Sequence, residues 1–164
     1  MHHMAHGRSA RRHVERNEMR DELLATVNDE HATVEAFASL LAYEEKALTT
    51  AAPLDALPGI VERKTELLEK LAQLERRRDT LLASLGLPAG KKGMDLAAEN
   101  DARLANGWQL LQHSAERARR ANAINGMLIR IRMDYNERTL SVLRAAPQRN
   151  GFYGPDGRVA AVAR

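Results

Sequence analysis

Few residues in this 164-residue sequence are of a type and spacing that could do covalent chemistry. His2, His3, His6 and His13 are the densest set of metal-ligand side chains, but they fall in a polar lead-in with no apolar period. That lead-in, with Arg8, Arg11 and Arg12, reads as a flexible, solvated extension rather than a metal or anion site. Glu44 and Glu45 offer two carboxylates for acid–base work. Neighbours on a helix point about 100° apart, however, and no histidine, lysine or ligand set accompanies them at helical spacing, so a solvated face is expected. Pro88 to Gly93 contains glycines and lysines but lacks the Gly-x4-Gly-Lys-Ser/Thr pattern and follows no strand; it reads as a loop, not a phosphate cradle. Arg76, Arg77 and Arg78 fan around their helix between Glu75 and Asp79, and Arg117, Arg119 and Arg120 make a second cluster; both are expected as surface charge. With no nucleophile–base pair, no ligand spacing and no cysteine, the sequence predicts no enzyme, cofactor, metal or small-molecule substrate.

What remains is apolar recognition. From Asn122 to Leu143, winding at about 100° per residue splits the apolar side chains into two groups. Ile124, Leu128, Ile131, Tyr135 and Val142 gather on one side. Ile129, Met133, Leu140 and Leu143 gather on nearly the opposite side, with Asn122, Asn125 and Asn136 among them. A helix that packs only on its own bundle needs one stripe. Two stripes imply either full burial or a second partner, and the partner is the expectation here. Ile124, Leu128, Ile131 and Tyr135 form the candidate recognition face, with Met127 at its margin. The asparagines resemble register-setting polar positions in a coiled-coil seam.

Long helices must position that face. Aromatic residues are 4% and charged residues 29%, and Ala, Leu, Glu and Arg are frequent, which favours elongated helical bundles over compact enzyme folds. The first helix is expected over Glu18–Thr49, with Leu24, Val27, His31, Val34, Ala38, Leu41 and Leu48 on its stripe, widened by Leu23 and Phe37. The second is expected over Asp55–Leu85, with Asp55 as N-cap and Pro58 in the first turn. Its seam is Leu57, Ile60, Leu67, Leu71, Leu74, Leu81 and Leu85, and Lys64 and Arg78 occupy the two skipped steps. Glu66 and Lys70 are spaced for an i, i+4 ion pair. Leu85-Gly86-Leu87-Pro88 has the order of a Schellman ending. The third helix is expected over Asp95–Ala145, with Leu104, Trp108, Leu111, Ala115 and Ala118 leading into the recognition stretch. Trp108 is its core anchor, and Gly107 and Gly126 are places for a bend or a close helix contact.

The expected fold is all-α: an elongated antiparallel three-helix bundle over residues 18–146, between a lead-in of residues 1–17 and a flexible tail of residues 147–164. The net charge of +3 is small for a nucleic-acid binder. No apolar run approaches the ~20 residues that cross a bilayer, so no stable membrane insertion is expected. The start lacks the apolar centre of a signal peptide, which points to the cytoplasm. Past Pro147, Phe152 and Tyr153 sit in turn chemistry; they either fold back on the bundle or form a linear docking motif.

Three pieces in order resemble the FlgN family of flagellar export chaperones. They are Gly107-Trp108-Gln109-Leu110, then Asn122-x-x-Asn125-Gly126-x-Leu128-Ile129 with Asn136 and Leu143 downstream, then Tyr153-Gly154-Pro155-Asp156-Gly157. The second helix, with Lys64 and the Arg76 to Leu85 run ending in Leu-Gly, has the family's look as well. The long basic lead-in and the Pro88 to Gly93 loop depart from it. The resemblance implies a small, cytoplasmic, all-helical protein without catalysis. Such proteins bind C-terminal segments of the hook–filament junction proteins FlgK and FlgL and deliver them to the type III export apparatus, including the gate protein FlhA. It also implies that Phe152 and Tyr153 dock on that gate. Two other readings stay open: a self-associating helical coiled-coil adaptor without a client, and a small helical nucleic-acid binder using the arginines.

Overall fold

The apolar spacing of the sequence turns into helix nearly everywhere. A computed structural model of the chain describes residues 3–50 and 54–145. Among these residues there is no strand. Four α-helices follow one another: α1 (His3–Thr49), α2 (Leu57–Ser84), α3 (Gly90–Ala98) and α4 (Ala102–Ala145), with a short 3-10 turn at Leu54–Ala56. Contacts divide the chain into two units, Met1–Asn125 and Gly126–Arg164.

The first unit holds the core. Leu23, Val27, Val34, Phe37 and Leu41 of α1 join Leu67, Leu81 and Leu82 of α2, Met94 and Ala97 of α3, and Leu104, Trp108, Leu111 and Ala118 of α4. Burying each large aliphatic side chain contributes about 1.5–3 kcal/mol, so these stripes supply most of the driving force. α1 and α2 run antiparallel, since Glu30 meets Arg78 and Glu44 meets Lys64. α4 follows α1 in the same direction: Asp21 meets Arg103, Glu35 meets Arg117, and Leu41 meets Asn125. At Gly107 a side chain would sit 3.5 Å from Leu24, Val27 and Asn28, so the expected close helix contact is there. At Gly126 nothing lies within 4 Å, so no close helix contact is made there.

The end of α2 is the Schellman motif that its sequence spells. Gly86 takes φ +75°, its N–H donates to the Ala83 carbonyl at 2.9 Å, and the Leu87 N–H donates to the Leu82 carbonyl at 2.9 Å. At the start of α2, Pro58 lies in the first turn as expected, but the N-cap is Ala56. Asp55 is drawn into the 3-10 turn, which puts it out of capping position. Glu66 pairs with Arg63 at 2.8 Å, one turn back, rather than with Lys70.

Three boundaries differ from the sequence reading. The lead-in is helical from His3, although Gly7 to Glu18 is wholly exposed. Periodicity finds only helices that bury a stripe; here Ala, Arg, Glu and Met extend a helix nucleated further along. Second, Pro88 to Gly93 is not a simple loop, because α3 begins at Gly90. Gly90 takes φ +76° and its N–H donates to Asp79 Oδ1 at 2.9 Å, while Met94 and Ala97 tuck into the core. Third, the expected long third helix is broken ahead of Ala102. Asp101 Oδ1 accepts from the N–H groups of Arg103 at 3.1 Å and Leu104 at 3.3 Å, which is an N-cap starting a new helix.

Gly93 shows how tightly α3 turns back. A Cβ there would lie 1.7 Å from the Pro88 carbonyl oxygen, a backbone atom that cannot swing away. Gly93→Ala should therefore cost about 2 kcal/mol or more in chemical denaturation. An unchanged midpoint would mean that α3 does not pack against Pro88.

Candidate functional site

Asn125 is the last residue of the first unit. Only 1% exposed, it donates from Nδ2 to the Leu41 carbonyl at 2.8 Å and to Glu44 Oε1 at 2.9 Å. Glu44, also 1% exposed, accepts in turn from Lys64 Nζ at 3.1 and 3.2 Å. Three helices thus share one carboxylate. The expectation that Glu44 lies on a solvated face is wrong: the lysine that accompanies it comes from α2, which spacing within α1 could not reveal. Of the three asparagines expected to face inward, Asn125 does, whereas Asn122 and Asn136 are exposed.

A second polar chain crosses the core nearer α3. Arg78, expected as surface charge, is buried and ion-paired with Glu30 of α1. Its guanidinium lies over the Trp108 ring, 5.1 Å from the centroid. Trp108, the expected core anchor, donates from Nε1 to Asp95 Oδ1 at 3.0 Å, and Asp95 also accepts from Lys91 at 2.8 Å. Burial pushes the Glu30 carboxyl up to about 7 even though Arg78 pulls the other way, with Glu75 and Asp79 adding to the rise. The hydrogen bond from Lys91, and then that from Trp108, hold Asp95 below the usual carboxylate range.

Ser114, His31 and Glu35 form a cluster with the residue types of a hydrolytic triad. His31 Nε2 lies 3.1 Å from Ser114 Oγ, and Ser114 donates to Glu35 Oε1 at 2.6 Å. Glu35 also sits 3.6 Å from the same His31 nitrogen, and Arg117 holds it at 3.1 Å. A triad needs the acid on the far ring nitrogen and a serine free to attack. Here the serine hydroxyl is spent on the carboxylate, and the cluster ties α4 to α1. Its hydrogen bond, with Arg117 and His31 behind it, lowers the Glu35 pKa.

From Ile124 onward most apolar side chains of α4 are exposed. Of the candidate recognition face, Ile124, Met127, Ile131 and Tyr135 are exposed, Ile131 at 64% and Tyr135 at 68%, and Leu128 is half-buried. The opposite stripe is open as well: Met133, Leu140 and Leu143 are exposed and Ile129 is half-buried. Phe152 and Tyr153 lie outside the described residues. Among the described residues no group of His, Cys, Asp and Glu could hold a metal ion, and no helix is long and apolar enough to cross a membrane.

The family model for the FlgN protein matches residues 19–161. The chain belongs to the FlgN family. It is similar to two curated members, each named flagella synthesis protein FlgN, from Yersinia enterocolitica and from its serotype O:8 / biotype 1B strain. Each is 31% identical over 101 residues, covering 62% of this chain and 63% of the relative. The chain thus spans somewhat less than two thirds of the length of these relatives. No solved structure matches it. The FlgN match takes in all of α2, α3 and α4 and begins at Met19, after the exposed basic start of α1.

Glu30, Asp95 and Ser114 escaped the sequence reading of this FlgN-family chain: the partners of Glu30 and Ser114 lie on another helix, and so does Trp108, the cross-helix partner of Asp95. A signal was present on α2, where Lys64 and Arg78 stand at seam positions that apolar residues would otherwise fill. Cations there call for carboxylates opposite.

Glu30 gives the fold a pH dependence whose sign follows from its raised pKa. The folded state holds the Glu30 proton more tightly than the unfolded chain, so this contribution is complete below about 4.5 and is lost as pH rises through about 7. Glu35 and Asp95 act in the opposite sense, at lower pH, and each keeps about half of its side chain in solvent. Denaturation at pH 5.5, 7 and 8.5 should show stability falling by roughly 2 kcal/mol across the window, and Glu30→Gln should flatten that slope. A slope equally steep in the variant would place the titration elsewhere.

Proposed function

We propose that the chain is a cytoplasmic chaperone of flagellar export that binds C-terminal segments of the hook–filament junction proteins FlgK and FlgL and delivers them to the export gate protein FlhA. The observation that carries this reading is the uncovered apolar surface of α4 in a member of the FlgN family. Several large apolar side chains in succession standing in water are a recognition surface awaiting a partner. Ile124, Met127, Leu128, Ile131 and Tyr135 take the client as a helix against a helix, covering a segment that would otherwise assemble early. No covalent step is involved. Phe152 and Tyr153 serve delivery, as an aromatic pair beside a Pro-Asp-Gly turn that docks on the gate.

The client half is tested by Ile131→Asp. A charge at an exposed position costs the fold little, but it must be desolvated at an apolar contact. Affinity for the C-terminal segment of FlgK, measured by calorimetry, should drop at least tenfold while helicity and melting temperature stay the same. Retained affinity would move the client elsewhere.

The delivery half is tested by Tyr153→Ala, which should leave client affinity unchanged, weaken binding to FlhA and reduce client secretion. Wild-type secretion from that variant would remove Tyr153 from the docking role.

A further inference from the structure

Resting on the client reading above, we propose that the client covers both stripes of the distal half of α4 at once, by presenting two apolar helical segments with acidic flanks. Met127, Ile131 and Tyr135 on one stripe and Met133, Leu140 and Leu143 on the other are all exposed. At about 100° per residue these six side chains sweep an arc of about 240° around the helix. One packed helix covers a stripe of about 100°, so a single client helix on either stripe leaves the other in water. Two helices cover the arc. The sector left over is charged, with Arg130, Asp134, Glu137 and Arg144, and it needs no cover.

Charge selects the client over a second copy of this chain. Gly126 to Ala145 carries Arg130, Arg132, Arg138 and Arg144 against Asp134 and Glu137. Two such helices laid together would bring surplus positive charge together, whereas acidic residues flanking the client's apolar seam would meet it favourably. The client is therefore a helical hairpin, or two helices joined by a linker, that clasps α4 rather than lying along it.

The test uses the full chain and the purified C-terminal segment of FlgK, with calorimetry for affinity and circular dichroism for the fold. Ile131→Asp and Leu140→Asp alter one stripe each, and Leu140→Gln repeats the second change without a charge. Both stripes should matter: each aspartate variant loses at least tenfold in affinity, and Leu140→Gln loses severalfold, with helicity unchanged. If Ile131→Asp weakens binding and the Leu140 variants bind normally, the client uses one stripe; the clasp is then overturned while the chaperone reading stands. If neither position matters, both readings of this surface fall. If the free chain sediments as a dimer that Leu140→Asp alone converts to monomer, a second copy covers the second stripe and the clasp is likewise overturned.

Discussion

Glu30 and Glu44 are carboxylates of α1 that lie inside the fold, and each is met by a cation of α2, Arg78 and Lys64. The two pairs are spaced two heptads apart on both helices, as an antiparallel register requires. The leucines of α2 recur at near-heptad steps, so apolar packing alone would tolerate a slip of one repeat with little loss. A slip that separates either pair leaves charges buried without partners, at several kcal/mol each. Leucines drive α1 and α2 together; the charges decide where they stop. Everything placed later inherits that choice, because Trp108 stacks under Arg78 and Asn125 binds to Glu44.

This division of labour explains which parts of the fold can be read from the sequence. Stripes such as Leu23, Val27, Phe37 and Leu41, or Leu104, Leu111 and Ala118, are legible because burial repeats with the period of the helix. The ending at Gly86 is legible because glycine there answers a local backbone demand. α3 is hidden for the opposite reason: Gly90 and Gly93 serve close backbone approach, and glycine in a sequence reads as a break. The cap at Asp101 is equally local, yet a continuous-looking stripe through Leu104 outweighs it on paper. The early part of α1 shows the limit of pattern itself. A helix with no buried side has no period to find.

The proposed recognition surface was half legible. The candidate residues and their two-sided arrangement follow from spacing, and past Asn125 the side chains of both stripes are exposed except Leu128 and Ile129, which are half-buried. The polar frame that ends just before it was not, because Glu44, Lys64 and Asn125 come together only through pairing between helices. Buried ionic groups are placed by their partners, and a sequence shows partners only when they lie within a turn or two. The same reasoning applies to Ser114, whose hydroxyl bonds across to α1 and thereby separates a structural cluster from a nucleophile.

Trp108 is the chain's single tryptophan, and it stands at a node that touches every helix of the first unit. Its indole nitrogen holds α3 through Asp95, its ring lies beneath the guanidinium of α2, and that guanidinium holds α1 through Glu30. Indole emission is sensitive to a cation on its face, to the hydrogen bond at its nitrogen and to water around it. The fold therefore carries an intrinsic optical probe at its centre, free of background from other tryptophans. Detachment of α3, withdrawal of Arg78 and opening of α4 from α1 each alter a different one of those three influences, so one fluorophore resolves which seam of the core has parted.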